Sequence, residues 1–220
     1  MLHRRHQKRG PEVNASMKGY SYIITRDFGF APNPFHGICT LATCKPIVRK
    51  HCDVGDYVIG LSPRDRGKGN KLIYLMKVTE VITFDEYWNN PRFEVKKPVT
   101  NGSLKRCYGD NIYHHRADGK WQQEDSHHTN EDGSINIHNL KRDTETTDKV
   151  LVSDDFYYFG KDCITLPKDL VGRITIGVGQ KRLRDDVVRE VCDYVHSVAP
   201  LKGYLGEPKK FKVFERYDGR

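Results

Sequence analysis

Histidines and carboxylates crowd the middle of this chain. Five of its ten histidines, His114, His115, His127, His128 and His138, fall in one polar stretch with Asp110, Glu124 and Asp125. An imidazole titrates near neutrality and a neighbouring carboxylate tunes and orients it, so such pairs move protons or hold metals. Neighbouring residues of an extended chain face opposite ways, so at most one histidine of each adjacent pair reaches a shared site. On this reading Asp110, His114 and one of His127 or His128 are the candidate acid–base residues. Histidines that only hydrogen-bond are the plain alternative. The six cysteines include Cys39, Cys44 and Cys52 beside His51. Their spacing matches no common zinc pattern, and no Cys-x-x-Cys pair occurs. They read as small buried apolar residues, and neither a metal nor another cofactor is expected.

A second set of residues suits a flat anionic ligand. Between Arg26 and Gly37 the chain places Phe28, Phe30 and Phe35 in a loop rich in Gly and Pro. Phe28 and Phe30 are candidates to stack on a base, with Tyr108, Trp121 and Tyr158 as further aromatic candidates. Asp110 and Asn111 carry the groups that read a base edge. Arg26, Arg64, Arg66 and Lys68 are the candidate phosphate contacts, the last three on a basic Gly-rich loop. The commonplace alternative is that these aromatics plug a core and these cations face water. No phosphate-binding P-loop, nucleophile elbow, zincin helix or deaminase signature is present, and Gly177-Val178-Gly179 lacks the third glycine of a dinucleotide fingerprint.

The elements that must position these residues begin with Tyr57–Leu61 and Leu72–Val78, two near-continuous apolar runs that suit strands buried on both faces or closed into a barrel. Further strands are expected at 19–25, 38–43, 150–152, 156–159, 164–166 and 173–176, with a basic connection over 45–52. Thr83 followed by Glu86 is a capping box that starts a short helix, with Phe84 and Tyr87 on its apolar face. A longer helix is expected from about Lys181 to Ser197. The fold class is α+β, a small mixed β-barrel with a few flanking helices. The long polar insertion covers about residues 92–149. The expected organisation is a basic tail over 1–16, one domain over 17–200, and a polar C-terminal tail over 201–220. Met17, just ahead of the first strand, is a candidate natural start. Net charge is +8, of which residues 1–16 contribute +3, a mild bias toward polyanions. No apolar run is long enough to span a membrane and no secretory signal is legible, so a cytoplasmic location is expected.

Several separated motifs carry a family resemblance. Gly19-Tyr20-Ser21-Tyr22-Ile23-Ile24, Val54-Gly55-Asp56-Tyr57-Val58-Ile59-Gly60, Tyr108-Gly109-Asp110-Asn111-Ile112-Tyr113 and Asp155-Phe156-Tyr157-Tyr158-Phe159-Gly160 resemble the nucleotide modification-associated domain 2 family. The resemblance runs from about Met17 to Tyr194. It implies a place near systems that make or handle modified bases, without a catalytic residue set. The Asp53–Val81 stretch is also similar, more loosely, to PUA-like domains of the EVE and ASCH type, small barrels that bind nucleic acid with a modified base. The expected function is therefore binding of nucleic acid with a modified base, or of a modified nucleotide, beside partner proteins of a modification or defence system. An enzyme acting on a nucleotide or base by His/Asp acid–base chemistry, and a non-catalytic scaffold, are the alternatives.

Overall fold

A computed structural model describes residues 17–64, 70–174 and 179–219. The strands are β1 (Gly19–Ile23), β2 (Cys39–Leu41), β3 (Tyr57–Leu61), β4 (Leu72–Lys77), β5 (Glu80–Thr83), β6 (Tyr113–His115), β7 (Trp121–Gln123), β8 (Lys149–Ser153), β9 (Asp155–Tyr158), β10 (Gln180–Leu183) and β11 (Gly203–Tyr204). The α-helices are α1 (Pro46–His51), α2 (Phe84–Asn89), α3 (Leu104–Cys107), α4 (Ile137–Thr144), α5 (Lys168–Ile174) and α6 (Asp185–Val198).

The two apolar runs pair as expected: β3 and β4 are antiparallel neighbours at the centre of a six-stranded sheet ordered β10-β1-β3-β4-β9-β11. Both faces of this sheet are covered. Ile59, Leu61 and Leu75 face α5 and α6 through Leu170, Val188, Val191 and Val195. Tyr22, Val58 and Met76 face the other way, onto Leu41 and Leu151 of a three-stranded sheet β2-β8-β5 and onto Val48 of α1. Strand β8 shows why its run is apolar throughout: Leu151 packs inward, whereas Val150 and Val152 join Phe84, Tyr87, Tyr108 and Tyr113 in a third cluster under the insertion. Gly60 is required by this packing, because a Cβ there would fall 2.2 Å from the Tyr74 ring.

Three expectations are corrected. The chain is α+β, but the described residues form no closed barrel: the six-stranded sheet is open, with β10 and β11 at its edges. The segment from Lys181 does not begin the long helix. Gln180–Leu183 is a strand paired antiparallel with β1, and α6 starts at Asp185, where Asp185 and Asp186 complement the helix dipole. Arg173 and Ile174 end helix α5, because Leu170 and Ile174 bury one helical face; the rest of the expected 173–176 strand lies outside the described residues. The basic connection over 45–52 is largely helix α1. The Thr83–Glu86 capping box forms in both directions and starts α2. The tail over 1–16 lies outside the described residues. No helix among the described residues is long and apolar enough to cross a membrane.

Candidate active site

A cleft of about 460 Å³ opens where the end of β1 meets the insertion. Seven pieces of chain line it: 22–26, the loop with Phe28, Phe30 and Ala31, the turn 44–47 that leads into α1, His127 and His128, Arg142 of α4, Gln180 of β10, and Tyr217. Such a volume is typical of a small-molecule site.

The turn is held in an uncommon conformation. Cys44 and Lys45 both adopt left-handed backbone, with φ of 56° and 41°. Neither is glycine, so the pair costs energy that surrounding bonds must offset. Pro46 suits the first helical position that follows, since it has no N–H to satisfy there. The Cys44 N–H donates to Asp143 Oδ1 at 2.9 Å. Arg49, fully buried, donates through Nε to the Cys44 carbonyl at 3.0 Å and through Nη1 and Nη2 to the carbonyls of Lys149 and Asp143. A buried arginine under a strained turn fixes where the Cys44 side chain points.

His128 lies beside that side chain. Its Nε2 is 3.7 Å from Cys44 Sγ, and its Nδ1 is 3.0 Å from Asp143 Oδ2. A carboxylate can only accept, so Nδ1 carries a proton and Nε2 faces the sulfur. Two carbonyl bonds fix the histidine's backbone: the His128 oxygen accepts from Gln123 Nε2 at 3.0 Å and Asn139 Nδ2 at 2.9 Å. Asp143 has no free lone pair to speak of. Beyond the Cys44 N–H and His128, it accepts from Tyr113 OH at 3.0 Å and from Arg142 Nε and Nη2 at 2.9 and 3.1 Å.

The charges follow from this arrangement. Burial alone would raise the Asp143 carboxyl, but His128 and Arg142 overcome it and hold it well below the usual carboxylate range. Burial opposes the Cys44 thiolate too, yet the adjacent His128 imidazolium, helped by Arg142, draws the thiol below its ordinary value. Burial lowers His128, and the Cys44 thiolate and Asp143 more than restore it, leaving it raised. Both shifts favour a thiolate–imidazolium pair oriented by a carboxylate, the arrangement of an activated nucleophile. Cys39 provides the contrast: burial without a cationic neighbour of that strength pushes its thiol up to about 12.

Cys44, His128 and Asp143 also place metal-ligand atoms within 4.8 Å of one another. The donor set argues against a metal. Asp143 is saturated by five donors, His128 spends Nδ1 on it, and the Arg142 guanidinium stands 3.3 and 3.4 Å from the two His128 ring nitrogens. A divalent cation would displace these bonds and sit against a fixed positive charge.

Of the residues singled out by sequence, Arg26, Phe28, Phe30, His127 and His128 line this cleft. His127 donates through Nδ1 to the Glu215 carbonyl, and burial and His128 push it down to about 3, so it is neutral. Tyr108 lies behind Phe28, ring stacked at 5.4 Å, with its hydroxyl on the Val213 carbonyl. Asp110 is fully buried, accepting from Thr40 and Tyr87 hydroxyls at 2.7 and 2.8 Å, and Asn111 is buried on the Tyr87 carbonyl. His114 pairs with Glu124 at 2.9 Å and stacks on Trp88, and Trp121 packs on His115 and Phe84. The Tyr158 hydroxyl is spent on Asp27. Arg64 is exposed, and Arg66 and Lys68 lie outside the described residues. The spacing of residues in the sequence gives Cys44 no chemical role and does not single out Lys45, Arg142, Asp143 or Tyr217. Cys44 and Asp143 are 99 positions apart, and no spacing rule joins them.

The nucleotide modification associated domain 2 family matches residues 16–215, nearly the whole chain. This chain belongs to that family. The match takes in every element that lines the cleft except Tyr217, so the thiol, the imidazole and the carboxylate all fall within the family's domain. No curated protein and no solved structure matches the chain. The family's name associates the domain with nucleotide modification, and the looser PUA-like resemblance finds no support in the open sheet.

Proposed function

We propose that this protein is a cysteine-dependent enzyme that makes or breaks an acyl bond on a nucleotide or nucleobase in a nucleotide-modification system. The observation that carries the proposal is the continuous chain from Cys44 Sγ through His128 to Asp143, at 3.7 and 3.0 Å. Acyl transfer is favoured over simple addition to a ring because the imidazolium is placed to protonate a leaving group. The thiolate of Cys44 attacks the acyl carbon and forms a C–S bond. The bond to the leaving nitrogen or oxygen breaks, and that atom takes the proton from His128 Nε2. A water then attacks the thioester, His128 takes the water's proton, the acid leaves and the thiolate returns. When an amine takes the place of water, the same residues build an amide. His127, neutral and pinned to Glu215, holds the wall and moves no proton.

The test is intact-mass analysis after exposure to a panel of N-acylated and O-acylated nucleosides and nucleotides. An adduct carrying the acyl mass on Cys44 is expected, persisting longer in His128→Asn and absent in Cys44→Ser. Turnover that survives in Cys44→Ser sinks the proposal. A second reading, binding of a modified base or nucleotide without chemistry, draws on the Phe28 and Phe30 wall beside Arg26. It requires that Cys44→Ser bind such ligands as the natural protein does and that neither form turn them over.

A further inference from the structure

The side chains that line the cleft are rich in cations. Among the described residues that line it are three cations, Arg26, Lys45 and Arg142, and no Asp or Glu. Arg142 is committed to Asp143. Arg26 and Lys45 are not committed: among the described residues neither forms an ion pair. Each instead rests on an aromatic face, the Arg26 guanidinium 4.5 Å above the Tyr217 ring and the Lys45 ammonium 4.7 Å above the Tyr22 ring. Elsewhere on this molecule cations of similar exposure meet carboxylates, as in Arg92–Glu80, Arg173–Glu190 and Lys202–Asp155. Lys45 is half-buried, and burial pulls its ammonium below the ordinary value, opposed in part by the Cys44 sulfur, so it stands partly desolvated without a carboxylate partner among the described residues. Its backbone is fixed by the left-handed turn next to the nucleophile. A desolvated cation and a free arginine in one cleft, with no competing carboxylate, form a receptor for an anion.

We propose that the substrate enters this cleft with an anionic group, a phosphate or a carboxylate, seated on Arg26 and Lys45, and that this contact sets its acyl carbon against Cys44. The inference rests on the catalytic role of Cys44 and adds the class of substrate. Arg26 at the mouth takes the anion first through its planar fork. Lys45, one residue from the nucleophile, holds it at the depth where attack occurs. An uncharged nucleoside lacks this anchor.

Protection of Cys44 from iodoacetamide tests the proposal without a known substrate. The rate of Cys44 alkylation is followed by peptide mass spectrometry with thymidine 5′-monophosphate, thymidine or glutarate present at matched ionic strength. The monophosphate or glutarate is expected to slow alkylation at concentrations where thymidine has no effect. Protection by the monophosphate alone assigns a phosphate, and by glutarate alone a carboxylate. In Arg26→Gln and Lys45→Gln the concentration needed is expected to rise at least about tenfold, each judged against its own unprotected rate, as for loss of a charge-assisted contact. Equal protection by thymidine, no protection by either anion, or unchanged protection in Arg26→Gln overturns the proposal. Failure of the catalytic reading is separately visible, as an unprotected Cys44 that alkylates no faster than Cys163 in the same digest.

Discussion

Two cysteines five residues apart show how environment makes chemistry. Cys39 sits on strand β2 with its sulfur 4.0 Å from the Met76 sulfur, and burial makes it a poor nucleophile. Cys44 is the same residue type, but His128 and Arg142 offset the cost of burying its negative charge. Since the Cys44 pKa is lowered, its thiolate persists as pH falls below the ordinary thiol value of about 8.5. Iodoacetamide should therefore modify Cys44 at lower pH than an unperturbed thiol. In His128→Gln the thiol should titrate higher and the rate at pH 7 fall at least about tenfold. A pH profile for Cys44 unchanged by that substitution would remove the imidazolium from the argument. None of this was legible in the chain. Of the histidine-rich stretch, His127 and His128 reach the cleft, whereas His114 does not line it. Yet a residue's pKa is set by neighbours brought in by folding, and Cys44, His128 and Asp143 come from a turn, a loop and a helix. Asp110, attractive beside its histidines, is used up by Thr40 and Tyr87 inside the core.

At the scale of elements, the two central strands and the capped helix were readable because apolar runs and capping boxes are local signals. Whether the sheet closes was not, since closure depends on register and strand order. Helix α1 was masked by its basic residues, one of which, Arg49, is buried as a structural strut. The insertion keeps its order through side-chain bonds, as a segment poor in aliphatics must. Lys96 donates to the Asn33 carbonyl, Asn33 Oδ1 and the Ile38 carbonyl at 3.0, 2.7 and 2.6 Å, tying the insertion to the 33–38 loop. The C-terminal segment does the same from outside. Tyr108 donates to the Val213 carbonyl, His127 to that of Glu215, and the Tyr217 N–H to that of His127 at 2.6 Å, while Arg216 pairs with Asp125. Deleting residues 213–220 should therefore open the wall formed by Tyr217. A bulky maleimide should reach Cys44 faster, and the thermal midpoint should fall by several degrees, at about 2–4 °C per kcal/mol for a chain of this size. Unchanged access of the maleimide would mean that the segment is no part of the cleft wall.

At the scale of the whole molecule, Asp143 is the point where the parts are joined. Its carboxylate holds the turn after β2 through the Cys44 N–H, the insertion through His128 and Tyr113, and its own helix through Arg142. Removing the charge leaves the buried His128 and the half-buried Arg142 without their anionic partner, and such breaks of a buried pair typically cost about 3–5 kcal/mol. Asp143→Asn should thus lower the urea midpoint at neutral pH by a large fraction of total stability. The pH dependence has a definite sign. The folded Asp143 carboxyl lies below its unfolded value, so its contribution is fully present above about pH 3.9 and is lost as pH falls through the folded value. His128 is shifted the other way: its raised folded value makes its contribution complete below about pH 6.5, and that contribution is lost as pH rises through the raised value. The stability gap between the natural protein and Asp143→Asn should accordingly be widest between these limits and narrow on both sides. A gap that instead grows steadily toward alkaline pH would show that Asp143 is not held by His128, and the link between the molecule's stability and the charge state of its nucleophile would be broken.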